Sequence, residues 1–280
     1  MPRPRVWRSA EGLLTLPALL FYLGVYLYPL ARIVGWSLYD RGPTLKFYRA
    51  MASDPSLLHA LGNTLSISLL STALCLLLGY PLAYLIATAA PAAGRVLMLL
   101  VLVPFWTSIL VRSFAWIVIL GNHGLVNRAL LAAGLIARPV RLLFNMTGVQ
   151  TGMVHVLLPF MVLPLVAAMR RIDPNVLRIA RSLGAVPRRA FLHVFLPLSL
   201  PGIAAGGALV FLLAVGFYVT PALLGGPGQI TLATMIDMEI TNFLDWGMAA
   251  MLGVVLMAVA GVLFAAFGAL LGPRLVTGAE

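Results

Sequence analysis

The stretch 173–202, DPNVLRIARSLGAVPRRAFLHVFLPLSLPG, is the only long polar segment in an otherwise strongly apolar chain. It opens with Asp173-Pro174, a pair typical of a helix start, because the Asp side chain accepts from a free backbone N–H and proline fits the first turn. Gly184 predicts a helix stop, since glycine tolerates the left-handed conformation. Pro187 then opens a second helix. The stretch therefore predicts a folded helix–turn–helix.

Both predicted helices are amphipathic, because their apolar residues recur at helical spacing while the basic residues face elsewhere. The apolar faces comprise Val176, Ile179, Ala180 and Leu183 in the first helix, and Ala190, Phe191, Val194 and Phe195 in the second. The arginines are Arg178, Arg181, Arg188 and Arg189. A folded basic loop of this kind is typical of a docking element. The alternative is a basic loop held at lipid headgroups.

Composition places the rest of the chain in a membrane. The 280 residues have a mean hydropathy of +1.02 and only 10% charged residues, whereas soluble domains carry roughly 25%. We expect an all-α polytopic protein with one transmembrane domain over 1–280, because backbone groups in lipid must bond internally. Its six spans are predicted at about 13–38, 63–88, 96–120, 147–169, 200–224 and 247–271, with the polar loop at 170–199.

Charge sets the expected orientation. With both ends inside, the inner segments hold eleven basic residues and the outer loops six. The inner set is Arg3, Arg5, Arg8, Arg95, Arg170, Arg171, Arg178, Arg181, Arg188, Arg189 and Arg274, and the outer set is Arg41, Lys46, Arg49, Arg128, Arg138 and Arg141. This bias predicts an N-in, C-in protein with an uncleaved first span and a cytoplasmic 170–199 loop.

Several classes of function are disfavoured. The net charge of +11 does not indicate a nucleic-acid partner, because the arginines lie at membrane flanks and in one loop. The single cysteine, Cys75, is expected to pack. The scattered histidines give no metal-ligand spacing, so no metal site is predicted. We find no nucleophile–base pair or carboxylate dyad, and we expect a protein that is not an enzyme.

Polar residues within the spans are few. Arg112 is costly in lipid, and it is interpreted as part of a solute path, as a lock between helices, or as a side chain that reaches the outer interface. His155 is expected to be a packed, hydrogen-bonded residue. Gly202 and Gly206 have the spacing that allows close helix approach, and Gly207 follows them.

The outer segments hold the acidic cluster Asp237, Glu239 and Asp245. It is either a solvated loop or a surface that attracts a cationic solute or a binding protein. Aromatic residues at the spans either stack on a solute or anchor the interface. The candidate path residues are Trp106, Arg112, Tyr218, Asp237 and Glu239, with Trp116 and Trp246 as further aromatic candidates.

The polar loop resembles the "EAA" loop of the membrane subunits of bacterial ABC importers, which reads E-A-A-x-x-x-G with a later L-P. The matching positions are Arg178, Ile179, Ala180, Gly184 and Leu196-Pro197. Ala180, Gly184 and Leu196-Pro197 fit the pattern, whereas Arg178 stands where the family has Glu and Ile179 where it has Ala. This departure bears on the ion pair that a Glu would make with a partner.

Further motifs resemble the permease B family of spermidine/putrescine importers, and the likeness covers nearly the whole chain. They are GYPLAY at 79–84, PFWT at 104–107, LPFMVLP at 158–164 and GFYVTP at 216–221. The resemblance implies a bacterial inner-membrane permease that carries a polyamine or related cation. It implies docking of the loop on a cytoplasmic ATPase through Arg178, Ile179, Ala180, Arg181, Gly184, Ala185, Pro187, Leu196 and Pro197.

The implied partners are two ATPase subunits, a second permease, and a periplasmic or extracellular solute-binding protein. The implied cofactors, ATP and Mg²⁺, belong to the ATPase, because this chain has one lysine, Lys46, and no P-loop. Opine-like solutes, ferric ion and thiamine remain as alternative cargo. An ion-coupled secondary transporter is the rival from another class, but the six predicted spans contain no Asp or Glu for a proton relay. A membrane enzyme or a structural subunit is the remaining alternative.

Overall fold

The computed structural model describes residue 17 and residues 19–276, and the side chains of 267–276 fall outside that description. The predicted start of the first span, the arginines Arg3, Arg5 and Arg8, and the side chain of Arg274 therefore lie outside the described residues. The observed helices are α1 (Leu19–Ser37), α2 (Lys46–Ser53), α3 (Pro55–Thr88), α4 (Pro91–Leu102), α5 (Ile109–Leu120), α6 (Leu125–Ala132), α7 (Met146–Met169), α8 (Pro174–Ser182), α9 (Pro187–Val215), α10 (Val219–Leu224), α11 (Leu232–Met238) and α12 (Trp246–Val276).

The all-α fold class is confirmed. Six helical stretches among the described residues are long and apolar enough to cross a membrane. The predicted boundaries differ in detail. α3 starts eight residues before the predicted second span, because Asp54 accepts a hydrogen bond from the Ser56 N–H (2.8 Å) and Pro55 occupies the first position. This cap starts the helix on the polar side of the apolar run.

α7 is the central helix, and it packs against both α3 and α9. Its residues Met153, Leu157, Met161 and Leu165 are completely buried. A helix that is apolar all round and buried on most faces is expected at the centre of a bundle. The core of the protein is therefore organised around α7.

Glycines let α9 approach α7 closely. A Cβ at Gly202 would lie 2.6 Å from the Ala168 Cβ, and one at Gly206 would lie 2.9 Å from the Met161 Sδ. The predicted close approach at these two glycines is confirmed. Gly207 does not take part, since a Cβ there would have nothing within 4 Å.

The segment predicted as a third span, 96–120, is not one continuous helix. α4 ends at Leu102, a short 3₁₀ turn covers Val103–Trp106, and α5 begins at Ile109. Pro104 explains the interruption, because proline lacks an N–H and disfavours helix in the residue before it.

Packing at the two ends nevertheless identifies α4 and α5 as one crossing. At one end, a Cβ on Gly94 would approach the Ile86 carbonyl and the Arg170 side chain. At the other end, Leu120 packs with Leu143 and Leu224. Length and apolarity alone would place this crossing at Ile109–Ala132, but α6 is set off from α5 by a turn at 121–124.

The predicted second helix of the polar loop is not a separate element. It forms the start of α9, which runs without a break from Pro187 to Val215 through a wide π turn at Phe191–Phe195. In that turn the Leu196 N–H bonds to the Phe191 carbonyl, five residues back. A regular helix would bring the Pro197 ring against the His193 carbonyl, and the wider turn relieves that clash. The predicted span 200–224 likewise ends early, at Val215, and α10 follows as a short helix.

We expect Gly202→Ala to lower the free energy of unfolding by about 1–3 kcal/mol, because the added methyl would force α9 away from α7. The matched control is Gly207→Ala on the same helix, where the methyl enters open space and helix propensity favours alanine by roughly 1 kcal/mol. Thermal unfolding in detergent, followed by tryptophan fluorescence, measures both. Equal midpoints for the two variants would contradict this account of the α7–α9 contact.

Candidate coupling surface and solute path

α8 is a short helix with a defined start and end. The Asp173 carboxylate accepts from the Asn175 N–H at 2.8 Å, as the sequence predicts. Gly184 adopts φ +87°, with its N–H bonded to the Arg181 carbonyl and the Ala185 N–H bonded to the Ala180 carbonyl, both at 3.0 Å. These two bonds form a Schellman stop, so the turn after α8 depends on a conformation that favours glycine.

The apolar face of α8 is exposed and does not pack on the bundle. The exposed fraction is 60% for Ile179, 83% for Leu183 and 55% for Val186 just beyond the helix. Leu177 faces the other way and packs against the core. All four arginines of the loop are exposed around this patch. Water disfavours such a contiguous apolar surface, and exposed patches of this kind are typical of interaction sites.

Aromatic contacts hold the start of α9 against the end of α3. The Tyr84 ring lies 5.6 Å from the Phe191 ring and 5.0 Å from the Phe195 ring, both edge-on. The Tyr80 hydroxyl is 2.8 Å from the Ser199 hydroxyl. The start of α9, which follows the α8 surface, is thus attached to the core through the Tyr80, Tyr84, Phe191 and Phe195 side chains.

Most of the predicted coupling residues are brought together at this surface. Arg178, Ile179, Ala180, Arg181, Gly184, Ala185 and Pro187 all lie on α8 or the turn after it. Leu196 and Pro197 lie about two turns into α9 and are separated from the others. Pro197 is exposed and Leu196 is half-buried.

A cavity of about 540 Å³ opens between α10 and α11, in the region that the sequence predicts to lie on the outer side. The Tyr218 hydroxyl donates to the Asp237 carboxylate across it at 3.0 Å, which raises the pKa of Tyr218. Arg141 and Gln229 also line the cavity. Two of the predicted path residues, Tyr218 and Asp237, therefore share one site.

Glu239 does not line this cavity. It begins the π turn Glu239–Phe243 and is half-buried. Its burial, together with the charge of Asp245, raises the pKa of its carboxyl group. Residues two apart on a helix point about 200° apart, so Asp237 and Glu239 face different surroundings. The predicted acidic cluster is therefore divided: Asp237 lines the cavity, and Glu239 lies elsewhere.

Trp106 lies within the break between α4 and α5, and Arg112 lies just after the break, on α5. Trp106 is 71% exposed. Arg112 is half-buried on the first turns of α5, and its Nε atom is buried without a hydrogen-bond partner. The charge of Arg112 acts on the nearby His155 ring of α7.

His155 is hydrogen-bonded, as the sequence predicts. Trp116 Nε1 donates to His155 Nδ1 at 3.0 Å. Both residues line a groove of about 560 Å³ between α3 and α5, whose floor also includes Gln150 of α7. The Gln150 side chain accepts from the Ser71 hydroxyl (2.8 Å) and donates to the Ile67 carbonyl (3.2 Å). The sequence did not single out Gln150, although a glutamine in an apolar helix indicates a buried hydrogen-bonding role.

Comparison with known proteins identifies the family. Residues 76–277 match the family described as binding-protein-dependent transport system inner membrane component. The chain belongs to this family. It is therefore a multi-pass inner-membrane permease subunit of an ABC importer, and its homologues are non-catalytic subunits.

Curated relatives support the same assignment. The spermidine/putrescine transport system permease protein PotB of Escherichia coli is 36% identical over 210 residues, covering 75% of this chain and 76% of that protein. PotB of Haemophilus influenzae is 39% identical over 208 residues, covering 73% of each chain. A putative 2-aminoethylphosphonate transport system permease protein, PhnU of Salmonella paratyphi A, is 31% identical and covers 90% of this chain and 86% of that protein.

Solved structures share the fold. A chain of a bacterial ABC transporter involved in import of the acidic polysaccharide alginate superposes with a TM-score of 0.75 at 20% identity, covering 95% of this chain and 98% of that chain. The same type of transporter in complex with a periplasmic protein bound to an alginate pentasaccharide gives 0.73 at 19% identity, covering 96% and 97%.

Proposed function

We propose that this permease carries a small amine-bearing solute, a polyamine above all, and that α8 docks on a cytoplasmic ATPase. It would work beside a second permease subunit, two ATPase subunits and a solute-binding protein. The docking part of the proposal rests on the exposed apolar face of α8. Arginines surround that face, and the turn at Gly184 ends the helix. Burying that face against a partner gains hydrophobic free energy of about 25 cal/mol per Å².

The charge of the α8 surface suggests what the partner offers. Arg178 occupies the position of the family's Glu, and Arg181, Arg188 and Arg189 lie near it on the exposed loop. A groove that accepts this surface would be apolar at its centre and acidic at its rim, because complementary charges guide docking. Arg178 in place of the family's Glu therefore changes the charge of the docking surface, but it leaves the apolar face of α8 in place.

ATP and Mg²⁺ are expected on the partner. The single lysine, Lys46, bonds to Asp40 at 2.9 Å on the outer side. That hydrogen bond, with the lysine's charge, lowers the pKa of the Asp40 carboxyl group. Lys46 is therefore paired with a carboxylate, and the sequence around it does not have the P-loop pattern that binds phosphate. We therefore assign no nucleotide to this chain.

The amine substrate is supported by two independent observations. Curated relatives that match this chain are named for spermidine and putrescine or for 2-aminoethylphosphonate, and all of these solutes carry a protonated amine. The outer cavity also offers a carboxylate, Asp237, beside the Tyr218 ring. A carboxylate and an aromatic ring are favourable neighbours for an ammonium group.

The orientation is tested by thiol labelling. We expect a cysteine at Ser182, in a Cys75→Ala background, to resist a membrane-impermeant thiol reagent in intact cells and to react in inverted vesicles, because the inner segments carry the basic excess. Ser53→Cys is the matched control at the exposed last residue of α2, and it should label in intact cells. Labelling of Ser182→Cys from outside would overturn the N-in orientation.

Docking is tested at Gly184. We expect Gly184→Val to reduce both solute uptake and the ATPase recovered in a mild-detergent pull-down by roughly tenfold, because a left-handed non-glycine residue costs about 1–2 kcal/mol. The matched control is Gly134→Val. Gly134 also has a positive φ, +68°, and open space around it, but it follows α6 on the outer side.

Equal insertion levels of the two variants, measured by immunoblot, separate docking from folding. If Gly184→Val transported normally, α8 would not be the ATPase contact. If the wild-type chain recovered no P-loop ATPase, the proposed coupling to a cytoplasmic ATPase would be rejected.

The amine site is tested at Asp237. We expect Asp237→Asn to raise the half-saturating concentration of spermidine by roughly tenfold, because a charged hydrogen bond contributes about 1.5–3 kcal/mol. Glu239→Gln is the matched control, since Glu239 lies two residues away and does not line the cavity. Radiolabelled uptake by the complete importer measures both variants. Equal effects of the two changes would mean that the acidic residues form a solvated loop and do not bind the solute.

A further inference from the structure

Two features that lipid does not accept coincide within one short segment, 103–112. The first is the break between α4 and α5. There the Thr107 N–H and hydroxyl both bond to the Pro104 carbonyl, at 3.2 and 2.8 Å, and the Ser108 hydroxyl does not cap α5. The first N–H groups of a helix have no partner within it. Irregular backbone at membrane depth is stable only where protein or an aqueous cavity covers it.

The break lies deep in the membrane. Ser108 is twelve residues before Leu120, the outer end of the crossing, which corresponds to about 18 Å along the helix axis. The hydrocarbon core is about 30 Å thick. Trp106 and Phe105 at the break are 71% and 56% exposed in the isolated chain. The described residues do not cover the segment, so another protein surface or an aqueous path must do so.

The second feature is the unpaired charge of Arg112. It lies eight residues before Leu120, about 12 Å below the outer end of α5. Its Nε atom is buried without a hydrogen-bond partner. The Asp and Glu residues that the structure describes all lie outside the six crossings. The described part of the chain therefore supplies no carboxylate to neutralise Arg112.

The neighbours of Arg112 do not supply an acceptor either. His155 Nδ1 already accepts from Trp116 Nε1, so the remaining hydrogen of the neutral ring sits on Nε2 and the ring can only donate there. Arginine also only donates. The Trp116–His155 pair thus offers Arg112 no acceptor, and the group that complements a guanidinium is an anionic oxygen.

We propose that segment 103–112 is the contact with the second permease subunit, which covers the break and places a carboxylate against Arg112. This inference rests on the proposed importer, in which a second permease is present. A lipid phosphate would lie too far from this depth, since headgroups stay outside the hydrocarbon core. A polyamine has no anionic oxygen and would be repelled. The charge complementarity of the segment therefore favours a protein carboxylate.

The test compares three variants in the complete importer. The tagged chain is purified from native membranes in mild detergent without added solute, and the second permease recovered per tagged chain is quantified by mass spectrometry. Arg112→Gln should lower that ratio by at least about tenfold, because removing one member of a buried charge pair leaves the other uncompensated. Arg112→Lys should restore part of it, since the charge remains.

Arg32→Gln is the matched control. Arg32 is also within a crossing, but its guanidinium bonds to the Tyr28 hydroxyl at 3.0 Å and stacks on the Trp36 ring, so the ratio should stay at the wild-type value. Equal recovery of the second permease with Arg112→Gln and wild type would overturn the proposal. Failure of the wild type to recover any second permease would instead reject the proposed function.

A cross-linking measurement covers the case in which Arg112→Gln fails to fold. A photoreactive residue in place of Trp106 should form adducts with the second permease, whereas one in place of Phe21, on the exposed side of α1, should not. Adducts with lipid alone would overturn the interface. So would rapid reaction of Thr107→Cys with a water-soluble thiol reagent without any cross-link, because the segment would then line an aqueous path.

Discussion

The requirement that every backbone polar group in hydrocarbon be satisfied is the constraint on which this structure depends. It limits the crossings to helices and makes close helix packing the means of building a core. α7 meets that requirement at the centre, where Gly202 and Gly206 of α9 bring the two backbones together. The polar side chains that do enter the bundle, such as Gln150 and His155, are fastened by hydrogen bonds to neighbouring helices.

Some parts of the described chain do not satisfy this requirement by themselves, and these parts indicate where neighbours bind. The break at Pro104–Ser108 and the unpaired Arg112 lie on one segment, and the apolar face of α8 is exposed on the opposite end of the molecule from the Tyr218–Asp237 pair. A permease subunit that works inside a larger assembly would carry such surfaces. In the proposals above, each of them meets a different neighbour: a second permease, an ATPase and a solute.

Much of this could be predicted from the sequence, for physical reasons. Apolar length determines crossings, and a cap such as Asp173-Pro174 or a stop such as Gly184 acts through adjacent residues. The break at Pro104 was not predicted, because one proline hardly changes the mean hydropathy of a long apolar stretch. The split between Asp237 and Glu239 also follows from helical geometry. By contrast, the Trp116–His155 bond joins residues 39 apart in the chain, and no local pattern contains such a contact.

The continuity of α9 has a mechanical consequence. A 29-residue helix is about 43 Å long, so one continuous helix joins the turn beside α8 to the non-helical residues before Tyr218. The aromatic contact of Tyr84 with Phe191 and Phe195 lies near the α8 end of that helix. If docking displaces α8, as proposed above, a tilt about this contact would be larger at the distant end of the helix. The outer cavity would be the part of the protein that moves furthest in response to an event on the opposite side of the membrane.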